Sequence, residues 1–435
     1  MKLKYSYSSA AIGVVLVLML IISSNINWGG ERWKNILESD AKGYYAYLPA
    51  IFIYNDLNFS FFDEIEKEKY YNENIFYDYR AFVDGSYISK YYMGTALVQL
   101  PFFLIAHGLS IATNNDPDGY SKFYIILVNI AALFWLLAGL IFINRSLKSF
   151  QISDKIRAIT LLTAVFGTNL FYYSISEPGM SHVYSFAFIS MFFYYTRQYY
   201  QTLRSVNMLT LSVLLGLIVL IRPVNGLIVF IFPFAAGSKA IFYQGIQRLF
   251  KPMKFLIAGT FIFLGVISLQ LFYYKSATGS FFIYSYLGEG FNFMKPHFFE
   301  ILFSFRKGLF LYTPIYLLSF LGCIYLWKNN RFMFWSWLAF FFLITYVFSS
   351  WSNWWYGGSF SSRVYVEYIP LFMVLLAFAL QYAKNKIQQR SLVTLILMLI
   401  VVCQTQTFQY RYNQIHWSDM NRAKYFEVFM RVDKL

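Results

Sequence analysis

What most constrains this chain is a succession of apolar runs that leaves almost no long polar stretch. They fall at about 10–24, 92–112, 122–143, 158–175, 182–196, 208–221, 226–236, 255–274, 308–327, 332–349, 364–382 and 392–408. Only 13% of the residues are charged and 58% are hydrophobic, against roughly 25% charged in soluble domains. That polar surface is too small to shield so apolar an interior from water, so lipid must be one of the solvents. In a bilayer core every backbone N–H and C=O must be satisfied within the structure, which here points to helices. The expected fold class is all-α: a polytopic transmembrane helical bundle of about 11–13 helices, forming a single membrane domain over residues 1–435.

The formal net charge of +15 would suggest nucleic acid in a soluble protein. Here Lys and Arg sit in short clusters between apolar runs, as in cytoplasmic loops of membrane proteins, so no nucleic-acid partner is expected. The two cysteines, Cys323 and Cys403, lie inside apolar runs and give neither a disulfide framework nor metal-ligand spacing. With 38 Tyr and 49 Phe, any single aromatic residue is first a packing or interfacial residue.

Lys2 and Lys4 precede the first apolar run. Its exit, Ser23-Ser24-Asn25-Ile26-Asn27, lacks a good small-x-small cleavage site. An uncleaved helix with its N-terminus inside is expected. Residues 26–90 then form a first extracytoplasmic loop, in which Tyr44 to Phe59 is a candidate interfacial helix. The run at 226–236 is short, so it is tilted, broken by Pro233, or embedded without crossing. From residue 144 onward the basic clusters all fall on one side. Earlier the count conflicts: if 92–112 and 122–143 both cross, the basic loop at 144–157 lands outside. Either one of the two re-enters without crossing, or that loop breaks the rule.

Polar chemistry gathers on the predicted outer side, and ionisable residues at membrane depth are functional candidates. Glu38-Ser-Asp40 opens the tyrosine-rich stretch that ends at Pro49; the alternative is a solvated loop balancing Lys34 and Lys42. Glu177 and His182 flank a Pro-Gly hinge, which otherwise reads as a helix corner. Arg222-Pro223 ends a helix with a fork of donors suited to phosphate, or with a snorkelling side chain. Arg306-Lys307 enters another helix. Trp354, Tyr356 and two glycines precede Arg363 and Glu367, which at four residues apart would pair on one helical face unless Arg363 holds a phosphate. The tail, 409–435, carries Tyr410, Tyr412, His416 and Trp417 and is expected to cover the outer face.

A transferase using a lipid-phosphate sugar donor would need such parts. An acid acts as base on an acceptor hydroxyl, cations stabilise the departing phosphate, and aromatics orient the saccharide. Glu38 and Asp40 would either hold Mg²⁺ or Mn²⁺ through oxygen ligands, or work without metal, one acid kept protonated by the other. Two other classes compete: a transporter or flippase of lipid-linked saccharide, which would tend to show repeated halves, and a polysaccharide polymerase or ligase.

In order, Glu38-x-Asp40, Pro178-x-x-Ser181-His182, Arg306-Lys307-Gly308-Leu309-Phe310-x-Tyr312-x-Pro314 and Trp354-x-Tyr356-Gly357-Gly358-Ser359-Phe360-x-x-Arg363 resemble bacterial integral-membrane glycosyltransferases of the GT-C superfamily. The branch they look most like is that of protein O-mannosyltransferases and aminoarabinose transferases. The resemblance implies a polyprenyl-phosphate sugar donor, an inverting single displacement, and an active site on the extracytoplasmic face of the bacterial inner membrane. The acceptor would be a glycan, a lipid or a protein. By the same resemblance Asp40 is the base and Glu38 its neighbour, with a metal in some branches. No large C-terminal soluble domain is expected from these residues.

Overall fold

The computed structural model describes residues 6–433; Lys2 and Lys4, on which the expected orientation partly rests, lie outside the described residues. The all-α expectation holds. Among the described residues seven helices are long and apolar enough to cross a membrane, from Tyr7–Trp28 to Lys386–Arg411. They differ sharply in burial. In Arg363–Gln381 89% of the apolar window is buried, in Met253–Thr278 only 11%. The first is therefore the central post of the bundle and the second turns its Phe and Leu side chains outward, to where lipid would lie.

Two ends of the bundle can be told apart by contacts. At one, Asp154 accepts hydrogen bonds from Ser6 Oγ (2.9 Å), Ser8 Oγ (2.6 Å) and the Tyr7 N–H (2.6 Å), fastening the first helix. There too Arg197 donates to the carbonyls of Ser149 and Ala235, and Asn330 to that of Gly237. This is the basic end. The other end carries the 26–90 interval, the Glu177 hinge and the Trp351–Arg363 loop.

The topological conflict at 92–143 is resolved by Gly94–Ala112. Its start packs against the end of Val206–Ile221, so closely that a Cβ on Gly94 would lie 2.3 Å from Ile221 N. Trp135 Nε1 donates to Val98 O (3.0 Å), and His107 meets Tyr124. The helix thus runs antiparallel to the first half of Lys122–Ser149 and returns to where that helix begins. The turn after it, at Asp116–Gly119, is bound by Lys69, Tyr70, Tyr54 and Tyr45 of the polar interval. Gly94–Ala112 does not reach the basic end; of the two helices it is Lys122–Ser149 that carries the chain there. Composition does not separate the two cases.

The short run at 226–236 is mostly a 3₁₀ helix, Pro223–Ile231, followed by Phe232–Ala236. Pro223 and Pro233 lack the N–H that an α-helix would use. A 3₁₀ helix rises about 2.0 Å per residue against 1.5 Å. This stretch therefore reaches from Arg222 to Arg197 with few residues.

The expected interfacial helix begins earlier, at Asp40, and is buried from Ala41 to Ala50 instead of lying on a surface. Gly43 makes this possible: a Cβ there would meet Tyr91 at 2.4 Å and Tyr79 at 2.8 Å. The interval also holds one element outside the all-α expectation, a hairpin of Arg80–Val83 against Ser86–Ser89. Its turn is Asp84-Gly85, both at positive φ, the pairing that two-residue hairpin turns prefer.

Candidate active site

Asp40 is the first residue of its helix, and Ser39 before it sits at φ 49° and ψ −132°. That backbone is strained for a residue with a Cβ, and packing holds it. Leu37 and Ala41 lie under the Glu177 hinge, where a Cβ on Gly179 would come within 2.6 Å of Leu37 Cδ2 and 2.8 Å of Ala41 Cβ. The hinge and the Asp40 helix therefore fit only because residue 179 is glycine.

The Asp40 carboxylate accepts from Tyr91 OH at 2.7 Å and from Arg363 Nη2 at 2.8 Å. Burial alone would raise its pKa, but the Arg363 charge and the Tyr91 hydrogen bond hold it below the usual carboxylate range. Asp40 is an ionised acceptor. Tyr91 is itself bonded to Tyr77 (2.8 Å), stacks near Tyr44 and meets Tyr286 edge-on.

Arg363 and Glu367 do not pair with each other. They lie on a 3₁₀ helix, Arg363–Tyr368, where three residues make a turn and positions four apart diverge. Glu367, fully buried, accepts instead from Arg222 Nη1 (2.9 Å) and faces His182 Nδ1 at 3.0 Å. Arg222 Nη1 also lies 3.2 Å from that same His182 Nδ1, so guanidinium, imidazole and carboxylate form one cluster. Two acid–arginine pairs thus stand side by side, each joining elements far apart in the chain. Around them Arg363 Nε, Glu367 Oε2 and Ser362 Oγ are buried with no partner among the described residues.

Glu38 and Glu177 form a second acidic layer. Burial lifts Glu38 to about 7, and burial with the neighbouring Glu38 charge lifts Glu177 to about 8. Tyr172 OH donates to Glu177 at 2.9 Å. Arg306 and Lys307 part company. Arg306 lies over the Trp355 ring at 3.7 Å and donates to Ser418 O at 3.0 Å, tying down the C-terminal tail. Lys307 turns inward, donates to the Ser359 carbonyl and lies 4.8 Å from the Tyr410 ring centre; burial pulls it down to about 7.

Among the residues singled out in the sequence, Asp40, Arg363, Arg222 and His182 come together, with Glu38, Glu177 and Lys307 behind them. Tyr356 donates to Phe348 O (3.0 Å). Trp354 is placed elsewhere, stacked on His297 with ring centres 5.6 Å apart. Tyr91 was not singled out, and among 38 tyrosines nothing in the sequence marks it. Among the described residues no group of three His, Cys, Asp or Glu side chains gathers as a metal site.

No protein-family model matches the chain. No curated protein matches it either. Solved structures do. The archaeal oligosaccharyltransferase AglB from Archaeoglobus fulgidus, in complex with an inhibitory peptide and a dolichol-phosphate, superposes on 97% of this chain with TM-score 0.50 at 10% identity. The same organism's oligosaccharyltransferase in the apo form covers 98% with TM-score 0.50 at 12% identity. The fold is GT-C-like. This chain spans 57% and 58% of those two proteins' lengths, and at such identities the likeness concerns the fold.

Proposed function

We propose that this protein is a glycosyltransferase that moves a sugar from a polyprenyl-phosphate-linked donor to an acceptor hydroxyl. The observation that carries this reading is an ionised Asp40 paired with Arg363, next to an Arg222–Glu367 pair and beside buried donor and acceptor atoms that have no partner among the described residues. Buried polar groups are normally satisfied; a phosphate and a sugar hydroxyl are what such atoms would bind. The GT-C-like fold supports it, since it recurs in an oligosaccharyltransferase solved with a dolichol-phosphate.

In this mechanism Arg363 and Arg222 bind the donor phosphate through their forked N–H groups. The acceptor oxygen attacks the anomeric carbon, the bond from that carbon to the phosphate oxygen breaks, and configuration inverts. Asp40 takes the acceptor's proton. Charge growing on the departing lipid phosphate is met by the guanidinium groups. Arg363 then has two partners in turn. Without donor it neutralises Asp40; a bound phosphate competes for it and frees the carboxylate to act as base. His182 and Glu367 hold Arg222, while Glu38, Glu177 and Lys307 set the charge behind the pair.

Mg²⁺ and Mn²⁺ favour several oxygen ligands. Asp40 instead meets a guanidinium where such an ion would sit, so the donor set does not fit, and Arg363 supplies the positive charge. Basic residues gathered at the opposite end support, through the positive-inside rule, an extracytoplasmic site in a bacterial plasma-membrane enzyme acting on a glycan, lipid or protein acceptor.

Mass spectrometry of lipid bound to the purified protein tests the reading. A polyprenyl-phosphate sugar, retained by wild type and lost with Arg363→Ala or Arg222→Ala, supports it. Bulk phospholipid alone, even after synthetic polyprenyl-phosphate sugars are added, contradicts it.

A further inference from the structure

The short helix that presents Asp40 has a second polar face. Lys42, two positions on, projects to the other side and forms a buried ion pair with Glu66, Nζ to Oε2 at 2.8 Å, with side chains 9% and 3% exposed. Glu66 Oε1 is also buried but has no partner among the described residues. Both side chains line a cavity of about 300 Å³, at the small end of ligand sites, roughly 300–1,000 Å³. Trp33 and Tyr70 form a corner of it, their rings at 75° and 6.4 Å apart. Tyr71, 55% exposed, and Asn72 reach its rim.

The chemistry of the lining narrows the occupant. Every lining cation already has a carboxylate: Lys34 has Glu31, Lys42 has Glu66, and Lys69 has Asp116 and Asp118. An anion would find no unpaired charge. A lipid chain would leave Glu66 Oε1 and the ion pair without hydrogen bonds, which is costly in a closed site. A molecule with apolar faces to lie on Trp33, Tyr70 and Tyr71, and hydroxyls to donate to Glu66, satisfies both demands.

We propose that this cavity is a saccharide site for one neutral pyranose unit, separated from Asp40 by the thickness of a single helix. Its use in transfer rests on the function proposed above: the unit belongs to the glycan of the donor or of the acceptor, seated while the reacting sugar lies at Asp40. Its capacity to bind does not depend on that function.

The test is saturation-transfer-difference NMR on the purified full chain with methyl glucoside and methyl mannoside, and with methyl glucuronide as the charged control. A neutral glycoside is expected to receive saturation, to keep it in Asp40→Asn, and to lose about 2- to 10-fold in Tyr71→Ala, the range of one aromatic contact. Tyr71 is at the rim, so this variant folds; Glu66→Gln should weaken binding further. No signal from either neutral glycoside, an unchanged signal in Tyr71→Ala, or a stronger signal from the glucuronide overturns the proposal. In the transfer reaction Tyr71→Ala should raise KM for the donor if the donor glycan sits there, and for the acceptor if the acceptor glycan does, with kcat kept. Binding without any transfer would remove the proposed function and leave the site standing. Transfer with neither KM moved would do the reverse to the site's role.

Discussion

Arg363 and Asp40 lie 323 positions apart in the chain and meet at 2.8 Å. The pair joins the loop after the first helix to the central helix of the bundle, and each partner decides what the other does. Arg363 keeps Asp40 ionised; Asp40 keeps a buried guanidinium compensated.

Replacing Asp40 by Asn therefore removes the base and leaves the shape. Transfer should fall by about 10² to 10⁴, and the thermal unfolding midpoint should drop as well, since the neutral amide leaves the Arg363 charge uncompensated. Arg363→Lys keeps the charge but not the fork, so donor KM should rise while the protein still folds. Arg363→Ala strands Asp40, and breaking such a pair costs about 3–5 kcal/mol where it is fully buried; here the side chains are 13% and 20% exposed, so a smaller loss is expected in denaturation assays.

Gly179→Ala tests the contact between the hinge and the Asp40 helix. The added methyl would press on Leu37 and Ala41. Overpacking of this kind costs about 1–3 kcal/mol, and a shift of about 1 Å at a reacting group costs about 10²-fold in rate. Activity should fall much more than stability; an unchanged rate would mean the hinge does not position Asp40.

Ser39→Gly tests the strain next to the carboxylate. Glycine accepts a positive φ without a Cβ penalty, so the variant should be about 1 kcal/mol more stable and keep its activity. A loss of activity with equal or lower stability would show that the Ser39 side chain has a role of its own.

Stability should depend on pH through Glu177. Burial raises its carboxyl from 4.5 to about 8, so the folded protein holds a proton that the unfolded chain releases. That contribution is complete below pH 4.5 and is lost as pH rises through about 8. Lys307, pulled down to about 7, acts in the opposite sense above pH 7, so the comparison is with Glu177→Gln. The variant should gain on wild type between pH 5 and 8, by up to about 1.4 kcal/mol per pH unit, measured by thermal shift.

Because Arg363 supplies the cation at Asp40, transfer should continue in excess chelator. Abolition by chelator and recovery with Mn²⁺ would show that an ion displaces Arg363 during turnover.

Much of this was readable from residue types alone. Long apolar runs made the helices, and rare ionisable residues between them, Asp40, Glu177, His182, Arg222 and Arg363, marked the end of the bundle where they meet. What sequence spacing could not supply was which partner each would take. Arg363 and Glu367 are four apart and would pair on an α-helix, but Arg363–Tyr368 is wound as a 3₁₀ helix, and each reaches a distant element instead. Gly94–Ala112 has the hydropathy of a span, and only its contacts at both ends show that it stops short of the basic end. The Asp84-Gly85 hairpin, by contrast, had a local signal that an all-helical reading passes over.

The most direct measurement is release of free polyprenyl phosphate from a synthetic polyprenyl-phosphate sugar by the purified protein in liposomes, followed by mass spectrometry together with the sugar-bearing product. Wild type should release the lipid phosphate and form a glycosylated acceptor of inverted configuration, and Asp40→Asn should do neither. Lipid-linked sugar that crosses the bilayer intact, or release that is equal in Asp40→Asn, would contradict the account.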